Sequence, residues 1–302
     1  MLTEKKKAKW KQNGFIIAVL AYPLLHFLAF YVYINASSFV MAFQKVNENY
    51  EFVWNGLNNF KEVFSTLFSE GSLISVAMIN NLKMFFWTTV IGFPLNMVFS
   101  YYLYKKKFAS QLIRFIIMLP SIISGMVMSL LFLKFTETAL PELMKNCFGI
   151  TTGSLLQQES TAVGMNIFYV LWTGFTTSLI LYPNAMNAID DGVIESALLD
   201  GVNQFQELWY IIIPLIYPTI TTFFVTGVAA LFTLSGPLYA FYYTNAPSHT
   251  WTMGYYLFVE TVHGKGTVTY PYMSAIGLVL TLITVPLVMG VKTLMEKCDP
   301  MN

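Results

Sequence analysis

Six apolar stretches of roughly 20 or more residues, each long enough to cross a hydrocarbon core about 30 Å thick, constrain this chain more than any other feature. They fall at about 15–34, 79–104, 111–134, 162–182, 214–235 and 270–291 of 302 residues. Inside a bilayer every backbone donor and acceptor must be paired within the protein, which leaves helices or closed barrels. The runs are continuous and do not alternate at period two, so helices are predicted. Only 11% of residues are charged and 56% are hydrophobic, whereas soluble domains carry about 25% charged residues. The chain reads as an all-α integral membrane protein with six transmembrane helices. Its Lys-rich start (Lys5, Lys6, Lys7, Lys9, Lys11) resembles a secretory signal. The run that follows is longer than a signal core of roughly 7–15 residues and lacks a small-residue cleavage site, so an uncleaved span is expected.

Basic residues set the orientation. Eleven of the seventeen Lys and Arg lie in the N-terminal tail, around Lys105–Arg114, and at Lys292 and Lys297. The positive-inside rule then places both termini in the cytoplasm. On this reading 1–14 and 293–302 are cytoplasmic tails. Residues 15–72 are the first span with an outer interfacial segment, and 73–292 form the main transmembrane domain with a cytoplasmic loop at 185–213. The aromatic content of 35–72 predicts a short helix lying on the interface. His26, one turn from Pro23, is expected to bond a freed carbonyl or to face a neighbouring helix. Cys147 and Cys298 fall on opposite sides of the membrane, which argues against a disulfide and against a zinc site.

Between the fourth and fifth spans lies a long polar segment without Lys or Arg, Asp190–Pro218, holding the acids Asp190, Asp191, Glu195, Asp200 and Glu207. Its spacing predicts two short helices broken at Gly201, with Val193, Ile194, Ala197 and Leu198 on one face of the first. Gly201 supplies the left-handed residue that commonly ends a helix, and Asn203 with Gln206 has the pattern of a capping box. Pro214 and Pro218 mark where the next span begins. Such an elbow on a membrane surface reads as a handle for a partner; an ordinary loop would leave the caps and the regular face without a purpose.

Chemistry of the chain's own is missing. Gly264-Lys265-Gly266-Thr267 lacks the earlier Gly of a phosphate loop and the Ser or Thr that should follow its Lys. There is no His-Glu-x-x-His or Gly-x-Ser-x-Gly, and three scattered histidines offer no metal cluster. Charged residues are nearly absent from the spans, which disfavours an ion relay, an intramembrane enzyme or the charged ring of a passive channel. A net charge of +1 gives no reason to expect nucleic acid. A transporter built this way draws its energy from outside the chain. The spans do carry uncharged polar and aromatic groups, and Trp172, Thr173, Gly174, Thr176, Thr177 and Gly227 are the candidate solute-pathway residues. Trp172 with Thr176, and Thr173 with Thr177, lie one turn apart and are each predicted to share a face. Aromatic faces with hydroxyls suit a sugar, and helix packing accounts for the same residue types.

Glu195-Ser196-Ala197, three residues, Gly201, and twelve residues to Pro214 closely resemble the EAA loop of binding-protein-dependent ABC importer permeases. That pattern is Glu-Ala-Ala, three residues, Gly, nine residues, Ile-x-Leu-Pro; Ser196 and Ile213 are conservative departures. Asp200-Gly201 is similar to the pair usual in the sugar-importing branch. Further phrases agree in order: Gly56-Leu57-Asn58-Asn59-Phe60, Arg114 through Gly125, Trp172-Thr173-Gly174-Phe175, and Thr244-Asn245-Ala246-Pro247. The resemblance covers about residues 15–297, and is greatest to the larger maltose permease and glycerol-phosphate permease type, without the former's extra N-terminal spans.

The resemblance implies a type I ABC importer-like permease fold in a bacterial or archaeal plasma membrane, and a transport subunit in place of an enzyme. It implies a second, homologous permease, two cytoplasmic ATPase subunits that bind ATP and Mg, and an extracellular solute-binding protein that delivers a carbohydrate. No cofactor or metal is expected in this chain. Glu195, Ala197, Asp200, Gly201 and Pro214 would be the ATPase-coupling residues, with Glu195 meeting a basic residue of the ATPase. A permease for glycerol phosphate or an amino acid is the alternative cargo reading; an anionic cargo would want Lys or Arg along the mid-spans, which have none.

Overall fold

The computed structural model describes the backbone over residues 2–301 and side chains over residues 14–301. The chain divides into two units, Met1–Ser65 with Gly264–Val279, and Thr66–His263 with Leu280–Asn302.

In the first unit, α1 (Gly14–Met41) has a mean hydropathy of 2.2 over its most apolar 18 residues, and none of those residues is buried. Such a helix is suited to hydrocarbon. The His26 ring sits between Tyr22 and Phe30 of its own helix, 6.2 and 4.8 Å away between centroids. The interfacial segment holds more than the one expected helix. A two-stranded antiparallel hairpin, β1 (Gln44–Val46) and β2 (Phe52–Trp54), precedes α2 (Asn58–Leu67). Phe43 stacks on Trp54 and also touches Phe60. The buried Asn59 amide donates to the carbonyls of Ala42 (2.9 Å) and Gln44 (2.7 Å). Gly56, at φ +61°, permits the turn that brings Asn59 there. The Gly56–Phe60 phrase thus pins the hairpin to the helix that follows.

The second unit is built on α3 (Leu73–Tyr104) and α6 (Ala162–Asn187), which pack along one another. Gly92 allows their close approach, since a Cβ there would lie 3.2 Å from Leu171 Cδ2; Phe99 and Phe175 meet edge to face at 5.3 Å. The third and fifth apolar stretches are not single straight helices. α4 (Ser110–Ile122) and α5 (Gly125–Phe148) meet at 101°, and α8 (Gln204–Leu215) and α9 (Tyr217–Ala229) at 71°. At the first bend, Ile123 and Ser124 are extended, ψ 140° and 133°, three residues after Pro120. The second bend falls at Ile216, between Pro214 and Pro218.

Between these lies α7 (Asp191–Leu199), and after them come α10 (Leu238–Tyr242), α11 (Met253–Val262) and α12 (Tyr270–Lys297). α9 stops at Ala229, six residues short of the expected Ser235. The Asn81 amide takes over the exposed end, donating to Leu231 O at 2.6 Å and Leu234 O at 3.3 Å, while its oxygen accepts from Met253 N at 3.0 Å. Next to it, Asn80 donates to the carbonyls of His249 and Trp251. Gly254 sits where a Cβ would come within 2.4 Å of Thr233 O.

Three of the helix prolines share one local geometry. Wide π-helical turns at Thr88–Gly92, Phe135–Ala139 and Leu208–Ile212 each end two residues before a proline, Pro94, Pro141 and Pro214. Proline lacks the donor for the carbonyl four residues back and its ring crowds that carbonyl. Widening the turn relieves the clash without breaking the span.

Candidate functional site

The elbow forms because each end of α7 satisfies its own backbone. The extended Asp190 accepts from Gly192 N through Oδ1 at 2.7 Å, capping the helix, and Asp191 in the first turn favours the positive end of its dipole. At the other end Gly201 takes φ +77°. Gly201 N donates to Leu198 O at 3.1 Å and Val202 N to Ala197 O at 3.2 Å, the paired bonds of a Schellman stop. Asn203 and Gln206 then close the expected capping box, with reciprocal bonds of 2.9 and 3.0 Å.

The first elbow helix divides its side chains differently from the predicted single face. Ile194 and Ala197 are buried, whereas Val193, Leu198 and Leu199 are exposed, Leu199 at 89%. Ile194 joins a cluster with Met97 and Tyr101 of α3, Tyr182 and Met186 of α6, and Leu208 and Ile212 of α8. The outer surface therefore carries Val193, Glu195, Ser196, Leu198, Leu199 and Asp200. Among the described residues the Glu195 carboxylate has no hydrogen bond and no ion pair. Gly201 is needed for its backbone angle alone, since nothing lies within 4 Å of where a Cβ would be.

Of the five acids, Glu207 behaves unlike the others. It is 1% exposed, and Oε1 pairs with Lys105 Nζ at 2.5 Å. Lys105, at the C-cap of α3, also lies 5.7 and 5.5 Å from the ring centroids of Tyr101 and Tyr104. By sequence Glu207 is one of the elbow's five acids and Lys105 one of the basic residues that set the orientation. No local spacing links positions 105 and 207; only the packing of α8 against the end of α3 does.

The candidate pathway residues do not gather in one place. Trp172 borders an apolar cavity of ≈ 420 Å³ with Phe132, Phe135 and Phe168. Thr176, expected on the same face, is buried, and its hydroxyl donates to Ile117 O of α4 at 3.0 Å, just ahead of the bend. Trp172 and Thr176 do lie one turn apart on the unbroken α6, but Thr176 is taken up by packing on α4 while Trp172 stays exposed. The Thr173 hydroxyl bonds back to Tyr169 O at 2.9 Å, and Thr177 is exposed. Gly174 and Gly227 come together on a second cavity, ≈ 290 Å³, with Asn81, Thr88, Asn96 and Ser178. The Asn96 oxygen there is buried and has no hydrogen-bond partner among the described residues.

Residues 89–300, taking in α6, the elbow and α12, match the family of binding-protein-dependent transport system inner membrane components. The chain belongs to this family. It is 26% identical over 240 residues to the multiple sugar-binding transport system permease protein MsmF of Streptococcus mutans, covering 78% of each chain. To the arabinooligosaccharides transport system permease protein AraP of Bacillus subtilis it is 24% identical over 268 residues, 86% of this chain and 82% of the other. Among solved structures it shares the fold of a chain in a bacterial alginate ABC transporter in complex with an alginate pentasaccharide-bound periplasmic protein. That match has a TM-score of 0.79 at 19% identity and covers 97% of this chain and 98% of the other. The chain is thus a multi-pass membrane transport component with an ABC importer permease fold.

Proposed function

We propose that this chain is the permease subunit of an ATP-driven importer that moves a sugar or oligosaccharide into the cell, and that the elbow is where ATP hydrolysis is felt. The observation that carries this is the build of α7. Its inner residue Ile194 packs in a cluster with three other helices, while its outer surface presents apolar Val193, Leu198 and Leu199 around a Glu195 with no partner among the described residues. An exposed apolar patch with a free charge fits docking on a protein partner with a basic group in its cleft. ATP and Mg would be bound by two ATPase subunits, not by this chain. A second, homologous permease would complete the pathway, and an extracellular solute-binding protein would load it. Both termini and the elbow are then cytoplasmic. The sugar-transport names of the relatives support a carbohydrate cargo.

Of the pathway candidates, Gly174 and Gly227 have the better position, because they share one cavity with the polar side chains of Asn81, Thr88, Asn96 and Ser178. The test of the docking claim is recovery of the ATPase with the tagged permease from membranes. Glu195→Lys is expected to lower recovery roughly 10- to 100-fold, as loss of one charge-assisted contact worth roughly 1.5–3 kcal/mol would. Glu159→Lys, outside the elbow, serves as the control. Equal recovery with both variants would remove Glu195 from the interface.

A further inference from the structure

A third cavity, ≈ 420 Å³, opens beside the elbow and belongs to neither the docking surface nor the candidate pathway. It is walled by three helix ends: the last turn of α3, the first turn of α4 and the last turn of α6. Helix ends of transmembrane spans mark the level where hydrocarbon gives way to headgroups. Lys106, Lys107 and Arg114 line it, and among the described residues none of the three has an acid partner. Their neighbour Lys105 is neutralised by Glu207, so the surplus charge is directed into this cavity.

The groups between the cations suit the same kind of guest. Ser110, only 8% exposed, borders the cavity with a hydroxyl that makes no hydrogen bond among the described residues, and Gln111 and Asn187 add further donors. The cap of the 13-residue α4 is Ala109, whose side chain cannot accept a bond, so the positive end of that helix is also open. Leading away from the cavity along α4, Leu112, Phe115, Ile116 and Leu119 form an exposed stripe at helical spacing. A free phosphate would have no use for such a stripe, whereas an acyl chain would.

We propose that this cavity binds the phosphate headgroup of an anionic phospholipid, with the acyl chains lying along the α4 stripe. Basic pockets between transmembrane helices are suited to such headgroups. The site requires neither the solute nor the ATPase, so it stands apart from the transport reading.

The test uses the full-length chain, purified in detergent, stripped of lipid and titrated with phosphatidylglycerol or phosphatidylcholine under native mass spectrometry. The expected result is a retained phosphatidylglycerol and no comparable phosphatidylcholine. Each basic residue contributes about fivefold in affinity for an anionic lipid surface, so K106Q/K107Q/R114Q should lower phosphatidylglycerol affinity on the order of 100-fold. K265Q should leave it unchanged. All three substituted side chains are exposed, and circular dichroism of the variant checks that the fold persists. Equal binding of the two lipids, or unchanged phosphatidylglycerol binding in the triple variant, would overturn the proposal. Inorganic phosphate that binds alone as tightly as the lipid would make it a free-phosphate site and also overturn it. So would a triple variant that loses ATPase recovery while keeping the lipid.

Discussion

Glu207→Gln should loosen the elbow from the spans, and the size of the effect follows from the burial of its ion pair. The carboxylate side chain is 2% exposed and its Lys105 partner 19%. Removing one member of a buried pair leaves the other charge without compensation, at a cost of about 3–5 kcal/mol. Because Lys105 retains some access to water, the lower end applies, about 3 kcal/mol. With roughly 1.4 kcal/mol per factor of ten, the population in which α8 opens away from α3 should rise by roughly 100-fold. Hydrogen exchange in lipid nanodiscs reads this directly at the amides of Leu208–Ile212, which lie in the same layer. Lys105→Met should act similarly. The double variant Lys105→Met/Glu207→Met should exchange nearly as slowly as the native chain, because an apolar pair of similar volume needs no charge compensation. Exchange within threefold of native in both single variants would refute the reasoning, and the elbow would then be held by its apolar layer alone. The same geometry makes Glu207→Lys unsuitable as a surface control for Glu195→Lys, since it would set two ammonium groups side by side in a buried site.

Gly201→Ala should cost about 1–2 kcal/mol, the penalty for an ordinary residue in the left-handed region, without any clash. Exchange at the end of α7 should quicken about tenfold while membrane insertion is unaffected, and unchanged exchange would contradict the strained turn. Asn81→Leu strips partners from Leu231 O, Leu234 O and Met253 N; at about 1–3 kcal/mol for each group left buried and unpaired, the folded chain should be recovered from membranes in much lower yield. Gly174→Leu fills the cavity that holds Asn96 without touching a neighbour at the Cβ position, so uptake should fall at least tenfold with assembly intact; unchanged uptake would take that cavity out of the pathway.

Patterns carried by neighbouring residues were legible without coordinates. Continuous apolar runs dictated membrane helices because hydrocarbon offers no partner for a free peptide group. The elbow's stops and starts were equally local: Gly201 must bear a positive φ, and Asn203 with Gln206 must cap, and both do. Glu195-Ser196-Ala197 with Gly201, taken with the four other phrases in the same order, was enough to place the family, because each is a local run of residues. What spacing could not reveal was which side of each helix meets a neighbour. Ile194 and Val193 are adjacent and equally apolar, yet one is buried against α3, α6 and α8 and the other is exposed. Glu207 looked like the other acids until packing brought Lys105 to it across about a hundred positions. The early end of α9 at Ala229 needed a distant partner, Asn81, for the carbonyls that follow it, and α4 ahead of its bend accepts a bond from Thr176. Sequence determined which segments form helices and where they stop, since those depend on bonds within a few residues. Tertiary structure decided which charges are spent internally, at Lys105 and Glu207, and which remain outward at Glu195, since burial is set by contacts between distant parts of the chain.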